Sequence, residues 1–266
     1  MVGNMAHNTA GPARDTSTRR GLEVLLAFGS DPALAQGSLG VTRIAKLLGR
    51  EKSQVSRTLK TLAEFGLVER DVETREYRLG WRVYALAAIA GEQRILTAGR
   101  PILQELSREF GESAYISVRQ GAESLTVLAE SAAARVQSAG WIGRTSPLYC
   151  TAVGRALLLD EDDEQVRTIL AGTPMAPIAP RTATSADAFL QRLDEARAVG
   201  YAIAADELEA GLVSVAAPIR DPQGRIAAVI NIAGPTYRFG DHVDEAAHRL
   251  LAAAALLSES LNGARI

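Results

Sequence analysis

The 266 residues include a single cysteine, Cys150, so no disulfide can form within the chain, which fits a reducing compartment. Only three histidines occur, His7, His242 and His248, scattered and without a His-x-x-His spacing. A structural zinc site therefore lacks a ligand set, and neither a metal nor a cofactor is expected. The opening MVGNMAHNTAGPARDTS has no apolar core and does not read as a signal peptide; residues 1–15 read as a disordered lead-in. The late apolar run Leu250 to Leu257 falls short of the ~20 residues that span a bilayer, so the expectation is a cytoplasmic protein with no membrane partner. Fingerprints of catalysis are also missing. Neither GPARDTS nor AVGRALL fits a phosphate-binding GxxxxGK(S/T) loop, and no G-x-S-x-G or GxGxxG is present.

What is there is globular: 47% apolar and 23% charged residues, over a length that suits two domains. The net charge of −2 hides an asymmetry. Arg14 to Arg78 holds 12 Lys+Arg against 9 Asp+Glu, whereas Trp81 to the end holds 17 against 22. A basic head on an acidic body suggests that the head meets a polyanion.

The head reads as a winged helix-turn-helix over 16–80. Thr16 to Ser30 is a first helix with Leu22, Leu25, Leu26 and Phe28 apolar and Ser17 or Thr18 as its cap. A second helix, RIAKLLG, is capped by Thr42 and ended by Gly49. After a short turn, a third begins near Lys52 or Ser53. Its apolar positions Val55, Leu59 and Leu62 put Ser53, Gln54, Ser56, Arg57 and Lys60 toward solvent. A helix of that kind fits the DNA major groove. Arg57 suits guanine and Gln54 adenine, while Lys52, Ser53, Ser56 and Lys60 suit phosphates. Thr42 and Arg43 complete the expected DNA face, with Arg75 from a wing whose strands are Leu67-Val68 and Tyr77-Arg78-Leu79. The plainer alternatives are a solvated helix face and an Arg75 paired with a neighbouring glutamate.

Trp81 to Ala90 and Gln93 to Phe110 carry helical apolar spacing, with a break expected at Gly99-Arg100-Pro101 because proline disfavours helix before it. This sets a linker helix at 81–98 and a second domain at 99–266. There the rhythm becomes period two. SAYISVRQ, ESLTVLAES, ARVQSAGWIG, YAIAAD, LVSVAAPIRD and RIAAVINIAG read as strands, with helices at CTAVGRALLLD, EDDEQVRTILAG, Ser185 to Val199 and His242 to Leu261, and RTSPLY as a loop. Helices on one side of an antiparallel sheet, without βαβ alternation, give an α+β domain.

The pattern K-S-x-V-x-R-x-L-x-x-L with its trailing Y-x-L-G, and then YCTAVGRALL, DELEAGL and NIAGPTYR in the body, resemble the IclR family of bacterial transcriptional regulators over about residues 16 to 261. The resemblance implies a GAF-like effector domain, a dimer or a dimer of dimers on a pseudo-palindromic operator, and a small-molecule effector. It places the effector pocket at the end of strand Ala204-Asp206 and at Ala216, Pro218, Asn231 and Ala233. The residues themselves point to the same place. The N–H groups of Ala152, Val153 and Gly154, after Cys150 and Thr151, form an anion cradle for a small carboxylate, aromatic acids included, with Trp141, Tyr149 and Tyr115 as walls. Beside each stands a structural role: Thr151 as helix cap, Cys150 as a small buried residue, Trp141 as core, Asp206 in an ion pair, Arg238 anchoring a loop. Two other readings stay open, an enzyme with an accessory helix-turn-helix and a winged helix that binds protein.

Overall fold

The computed structural model describes residues 16–30, 37–89, 93–131 and 141–262. The lead-in 1–15, the turn expected near Ala132-Ala133 and most of the strand expected in ARVQSAGWIG lie outside them. The chain forms two compact units, Met1–Ile89 and Ala90–Ile266.

In the first unit, α1 (Ser17–Leu26) is capped by Thr16, whose hydroxyl accepts the Arg19 N–H at 3.2 Å, and a 3-10 turn (Ala27–Gly29) follows. Its core side is Val24, Ala27 and Phe28; Leu22 and Leu26, expected to be apolar core positions, are 56% and 73% exposed. Helix α2 (Val41–Leu48) is capped by Gly40, not by Thr42, which lies one residue inside it. Gly49 ends α2 at φ 61°, the left-handed conformation that a side chain resists, and Arg50 and Glu51 complete the turn into α3 (Lys52–Glu64). Arg50 reaches back to Glu23 of α1 at 2.7 Å. Burial pushes the Glu23 carboxyl up, but hydrogen bonds and charge from Arg50 and Arg19 outweigh it and hold it below the ordinary range. Val55 and Leu59 of α3 are buried against Ile44, Leu39 and Val68, about 1.5–3 kcal/mol for each such side chain. The wing is β1 (Val68–Arg70) against β2 (Tyr77–Leu79), with Leu39 bridging to Tyr77 on the far side. A side chain at Gly80 would overlap the backbone of Gly66, so this glycine lets the wing return against the end of α3. Helix α4 (Trp81–Ile89) closes the unit.

The second unit opens with α5 (Gln93–Phe110), which runs straight through Pro101. The break expected at Gly99-Arg100-Pro101 is absent, and the stretch expected as one linker, 81–98, is divided between the units. Proline removes one backbone hydrogen bond, at about 3 kcal/mol. Burying Ile95, Leu103 and Leu106 on both sides of it more than offsets that, and Gly99 lets the helix lie on the sheet where a side chain would overlap Ile116.

The sheet is antiparallel, in the order β5-β4-β3-β8-β7-β6, from β3 (Ser113–Gln120), β4 (Glu123–Glu130), β5 (Thr145–Pro147), β6 (Ala202–Ala205), β7 (Leu212–Arg220) and β8 (Ile226–Pro235). β5 arises inside the expected loop RTSPLY, and Trp141 to Gly143 is not strand. Helices cover both faces, not one. Ile116, Val215, Ile230 and their neighbours pack on α5 and α10 (Val243–Asn262). The alternate residues Ala204, Ala216 and Val229 pack with α6 (Ala152–Leu157), α7 (Asp163–Leu170) and α8 (Ala186–Val199). The interior strands are apolar on both faces for this reason, and their period-two rhythm is blunted. A short helix α9 (Thr236–Phe239) joins β8 to a 3-10 turn before α10. It carries Arg238, paired with Glu112 (Nη2 to Oε2 2.7 Å), and a side chain at Gly234 would run into that carboxylate. The loop-anchoring role is thus the one Arg238 has.

Candidate DNA interface and effector site

The geometry of α3 follows from its apolar stripe. With Val55 and Leu59 inward, Lys52, Ser53, Ser56, Arg57 and Lys60 are exposed and Gln54 is half-buried. Among the described residues, Lys52, Arg57 and Lys60 make no ion pair; the Arg57 Nε–H reaches only the Ser53 carbonyl, at 3.4 Å. Thr42 and Arg43 are exposed at the start of α2. In the wing, Arg78 is held by Glu69 at 3.0 Å and Arg70 stacks on Tyr77 at 5.7 Å. Arg75 stands at the hairpin tip with φ 60°, exposed and without an ion pair among the described residues, so the pairing with a neighbouring glutamate belongs to Arg78 instead. Asp71 shapes that tip by accepting the Thr74 and Glu73 N–H groups at 2.8 and 2.9 Å, which hold its carboxyl below the usual range.

In the second unit the expected anion cradle is only partly available. Thr151 is the N-cap of α6: its hydroxyl accepts the Gly154 N–H at 3.0 Å and donates to the Pro147 carbonyl at 3.1 Å. The Gly154 donor is therefore spent within the chain. A side chain at Gly154 would overlap the Leu148 backbone, so packing by itself accounts for the glycine. Tyr149, Cys150, Ala152 and Val153 are buried with Ala216 in one apolar cluster. The Tyr149 hydroxyl donates to the Ala176 carbonyl at 3.2 Å. Burial, then the charge of Glu207, pushes the Cys150 thiol up to about 12, which makes it an inert packing residue.

Among the described residues, Asp206 does not pair with an arginine. Its backbone is left-handed, φ 58°, and its carboxylate accepts the Gly211 N–H at 2.6 Å, pinning the turn between β6 and β7. The next residue, absent from the expected site, is Glu207. It is buried and held by Arg155 of α6 at 2.8 and 2.9 Å and by Arg192 of α8 at 2.6 Å, while Arg155 also donates to the Ile203 carbonyl. This knot ties α6 and α8 to the turn that Asp206 shapes.

On the sheet, register puts Tyr115, Asn231 and Ala216 in one row and Ser113, Ala233 and Ser214 in the next, all on the face that carries α6; Pro218 follows opposite Val229. Trp141 meets Tyr115 edge-on at 6.1 Å, and Arg144 lies over the Trp141 ring at 5.4 Å. Burial raises the Tyr115 phenol above its ordinary range. Asn231 is 5% exposed, and its side-chain oxygen has no hydrogen-bond partner among the described residues. An unpaired buried carbonyl of this kind is unfavourable by about 1–3 kcal/mol. Two surface cavities, of about 420 Å³ beside Arg119 and Glu161 and about 340 Å³ between α1 and α3, are lined by neither Tyr115 nor Asn231.

Fold and site define a class: a winged helix-turn-helix unit followed by an α+β unit of sensing type. The IclR helix-turn-helix domain matches residues 17–72, and the bacterial transcriptional regulator IclR C-terminal domain matches residues 87–259. The chain belongs to the IclR family of transcriptional regulators and carries its DNA-binding helix-turn-helix. It is 32% identical over 220 residues to the HTH-type transcriptional regulator KdgR of Escherichia coli (strain K12), covering 82% of this chain and 84% of that one. A solved transcriptional regulator from Rhodococcus sp. RHA1 is similar at 27% identity with a TM-score of 0.70, over 92% of this chain and 97% of that one. An IclR homologue from Microbacterium hydrocarbonoxydans, complexed with 4-hydroxybenzoate, shares the fold with a TM-score of 0.77 at 22% identity, over 94% of this chain and all (100%) of that one. These relatives are regulators, not enzymes.

Proposed function

We propose that this chain is a cytoplasmic, ligand-responsive regulator that binds a pseudo-palindromic operator in double-stranded DNA as a homodimer or homotetramer. Its DNA affinity changes when a small organic acid, aromatic in class, binds the second unit. The observation that carries the effector reading is Asn231: a buried side-chain oxygen with no partner among the described residues, on a sheet face walled by Tyr115 and Trp141, which a ligand's donor would satisfy. A hydroxylated aromatic acid would supply that donor and a ring for the aromatic pair; the 4-hydroxybenzoate held by the Microbacterium relative is of that kind. With Gly154 spent, the carboxylate is left to the Ala152 and Val153 N–H groups.

For DNA, α3 supplies Ser53, Gln54, Ser56 and Arg57 to the major groove, with Thr42, Arg43, Lys52, Lys60 and Arg75 on the flanking backbone. The exposed apolar side chains Leu22 and Leu26 on α1 and Trp81, Tyr84 and Leu86 on α4 support self-association, which sets two α3 helices about 34 Å or a multiple apart. Effector and DNA are then linked: a coupling of ~1–3 kcal/mol changes operator affinity 5- to 150-fold.

The test is Arg57→Ala in the full chain. It is expected to abolish preference for DNA from the chain's own upstream region over random duplex, while thermal stability and the thermal shift with 4-hydroxybenzoate stay as in wild type. Unchanged preference would remove α3 from the base-reading role.

A further inference from the structure

On the α6 face of the four central strands, β4, β3, β8 and β7, most uncharged polar side chains are spent within the chain. The Tyr115 and Ser113 hydroxyls bond each other, Ser117 meets Thr126 at 3.4 Å, and Ser124 donates to the Ser146 carbonyl at 3.3 Å. Two are not spent. Among the described residues, the Asn231 oxygen has no partner and neither does the Ser214 hydroxyl. Ser214 stands opposite Ala233, and Asn231 opposite Ala216, so the two are diagonal neighbours on the β7–β8 pair. Diagonal neighbours lie about 7–8 Å apart along the backbone, which brings both polar groups within reach of one small molecule. Burial shows from which side. Ala216 and Val229 next to Asn231 are fully buried, whereas Ser113, Ala233 and Ser214 are half-buried. The open side of Asn231 is therefore the row that contains Ser214.

We infer that Ser214 is a specificity-determining residue of the effector site and that the effector is a ring acid with two adjacent hydroxyls. This deepens the effector reading given above and rests on it. One hydroxyl donates to the Asn231 oxygen, a point where a carboxylate oxygen would bring no proton. Its neighbour on the ring meets Ser214, whose hydroxyl can donate or accept. Ala204 and Ala233, in register with Ser214 on either side, offer no competing polar side chain, so the second hydroxyl has Ser214 as its partner. Tyr115 and Trp141 wall the ring, and the carboxylate stays with the Ala152 and Val153 N–H groups. An acid with one hydroxyl, such as 4-hydroxybenzoate, satisfies Asn231 and leaves Ser214 unused. Ser214 thus separates acids with one ring hydroxyl from those with an adjacent pair.

The experiment is calorimetric titration of the full chain with 4-hydroxybenzoate, 3,4-dihydroxybenzoate and 2,4-dihydroxybenzoate. Wild type is expected to bind the 3,4-acid about 3- to 10-fold more tightly than 4-hydroxybenzoate, the gain from one further neutral hydrogen bond. The 2,4-acid, whose hydroxyls are not adjacent, is expected to show no such gain. In Ser214→Ala the ratio between the 3,4-acid and 4-hydroxybenzoate is expected to fall to about one, and Ser214→Thr, which keeps the hydroxyl, to hold a preference for the 3,4-acid. A Ser214→Ala protein that keeps the full preference would overturn the proposal. So would a wild type that binds 4-hydroxybenzoate but does not prefer the 3,4-acid, or that binds the 2,4-acid equally tightly; in each of these cases the aromatic-acid reading itself stands. If none of the three acids binds, that reading falls and this inference falls with it.

Discussion

Replacing Asn231 by leucine separates a binding residue from a structural one. The Asn231 side chain is 95% buried, and its oxygen has no partner among the described residues. Leucine branches at the same atom and presents no polar group. If the oxygen is held unsatisfied for a ligand, the substitution relieves about 1–3 kcal/mol in the ligand-free protein. In a unit of this size, 1 kcal/mol corresponds to roughly 2–4 °C, so the melting midpoint rises by about 2–12 °C, less whatever the larger side chain costs in overpacking. The same substitution abolishes the thermal shift produced by hydroxylated aromatic acids, because the pocket no longer offers an acceptor. The assay is a melt of the full chain with and without 4-hydroxybenzoate. A lower midpoint without ligand would refute the reasoning: Asn231 would then be satisfied in the free protein and its role would be structural. Gain of stability together with loss of response is the signature of a site kept polar for function.

Three further outcomes follow from the second unit. Glu207→Gln leaves Arg155, 1% exposed, beside a neutral partner; unfolding in urea is expected to show a loss of about 3–5 kcal/mol, and a loss below 1 would mean that the knot with Arg192 carries little. Gly154→Ala forces a methyl group into the Leu148 backbone and is expected to lower stability by ~1–3 kcal/mol in the same measurement, not to silence the effector response selectively. Cys150, with its thiol pushed up to about 12, holds only about one part in ten thousand as thiolate at pH 8, so the folded chain should not react with a disulfide reagent there and should react promptly once unfolded in urea.

The elements that could be read from sequence are those whose signal is local. Val55 and Leu59 four residues apart, Gly49 after Leu48, and Ser185 ahead of an amphipathic helix each fix a helix or its end by near-neighbour rules, and each stands in the structure where those rules put it. What was misread depends on contacts made far along the chain. Pro101 looked like a break because the apolar surface that holds its helix together belongs partly to Ile116 and Leu128 on other elements. Helices on both sheet faces were missed because Ala216 and Val229 are small or common core residues that name no partner. β5 was missed because three residues, Thr145–Pro147, show no period of their own and become strand only by pairing with β4. At the site, Asn231 and Asp206 were picked out, but the roles of Asp206 and Gly154 were not. A glycine required by its own preceding turn and a glycine required by a ligand look the same in one sequence. Glu207 went unassigned for a similar reason: its partner Arg155 lies 52 residues away.

Residues that break local rules here sort by whether the chain itself repays the strain. Asp206 adopts a left-handed backbone, but the Gly211 N–H bond and the paired Glu207 beside it account for that: the turn holds α6 and α8 against the sheet. Gly154 weakens a six-residue helix, and the Leu148 backbone accounts for it. Asn231 differs: it leaves a buried oxygen without a partner among the described residues, and nothing there repays the cost. Unrepaid strain of that kind is what the proposed effector would relieve, and the leucine substitution tests it directly.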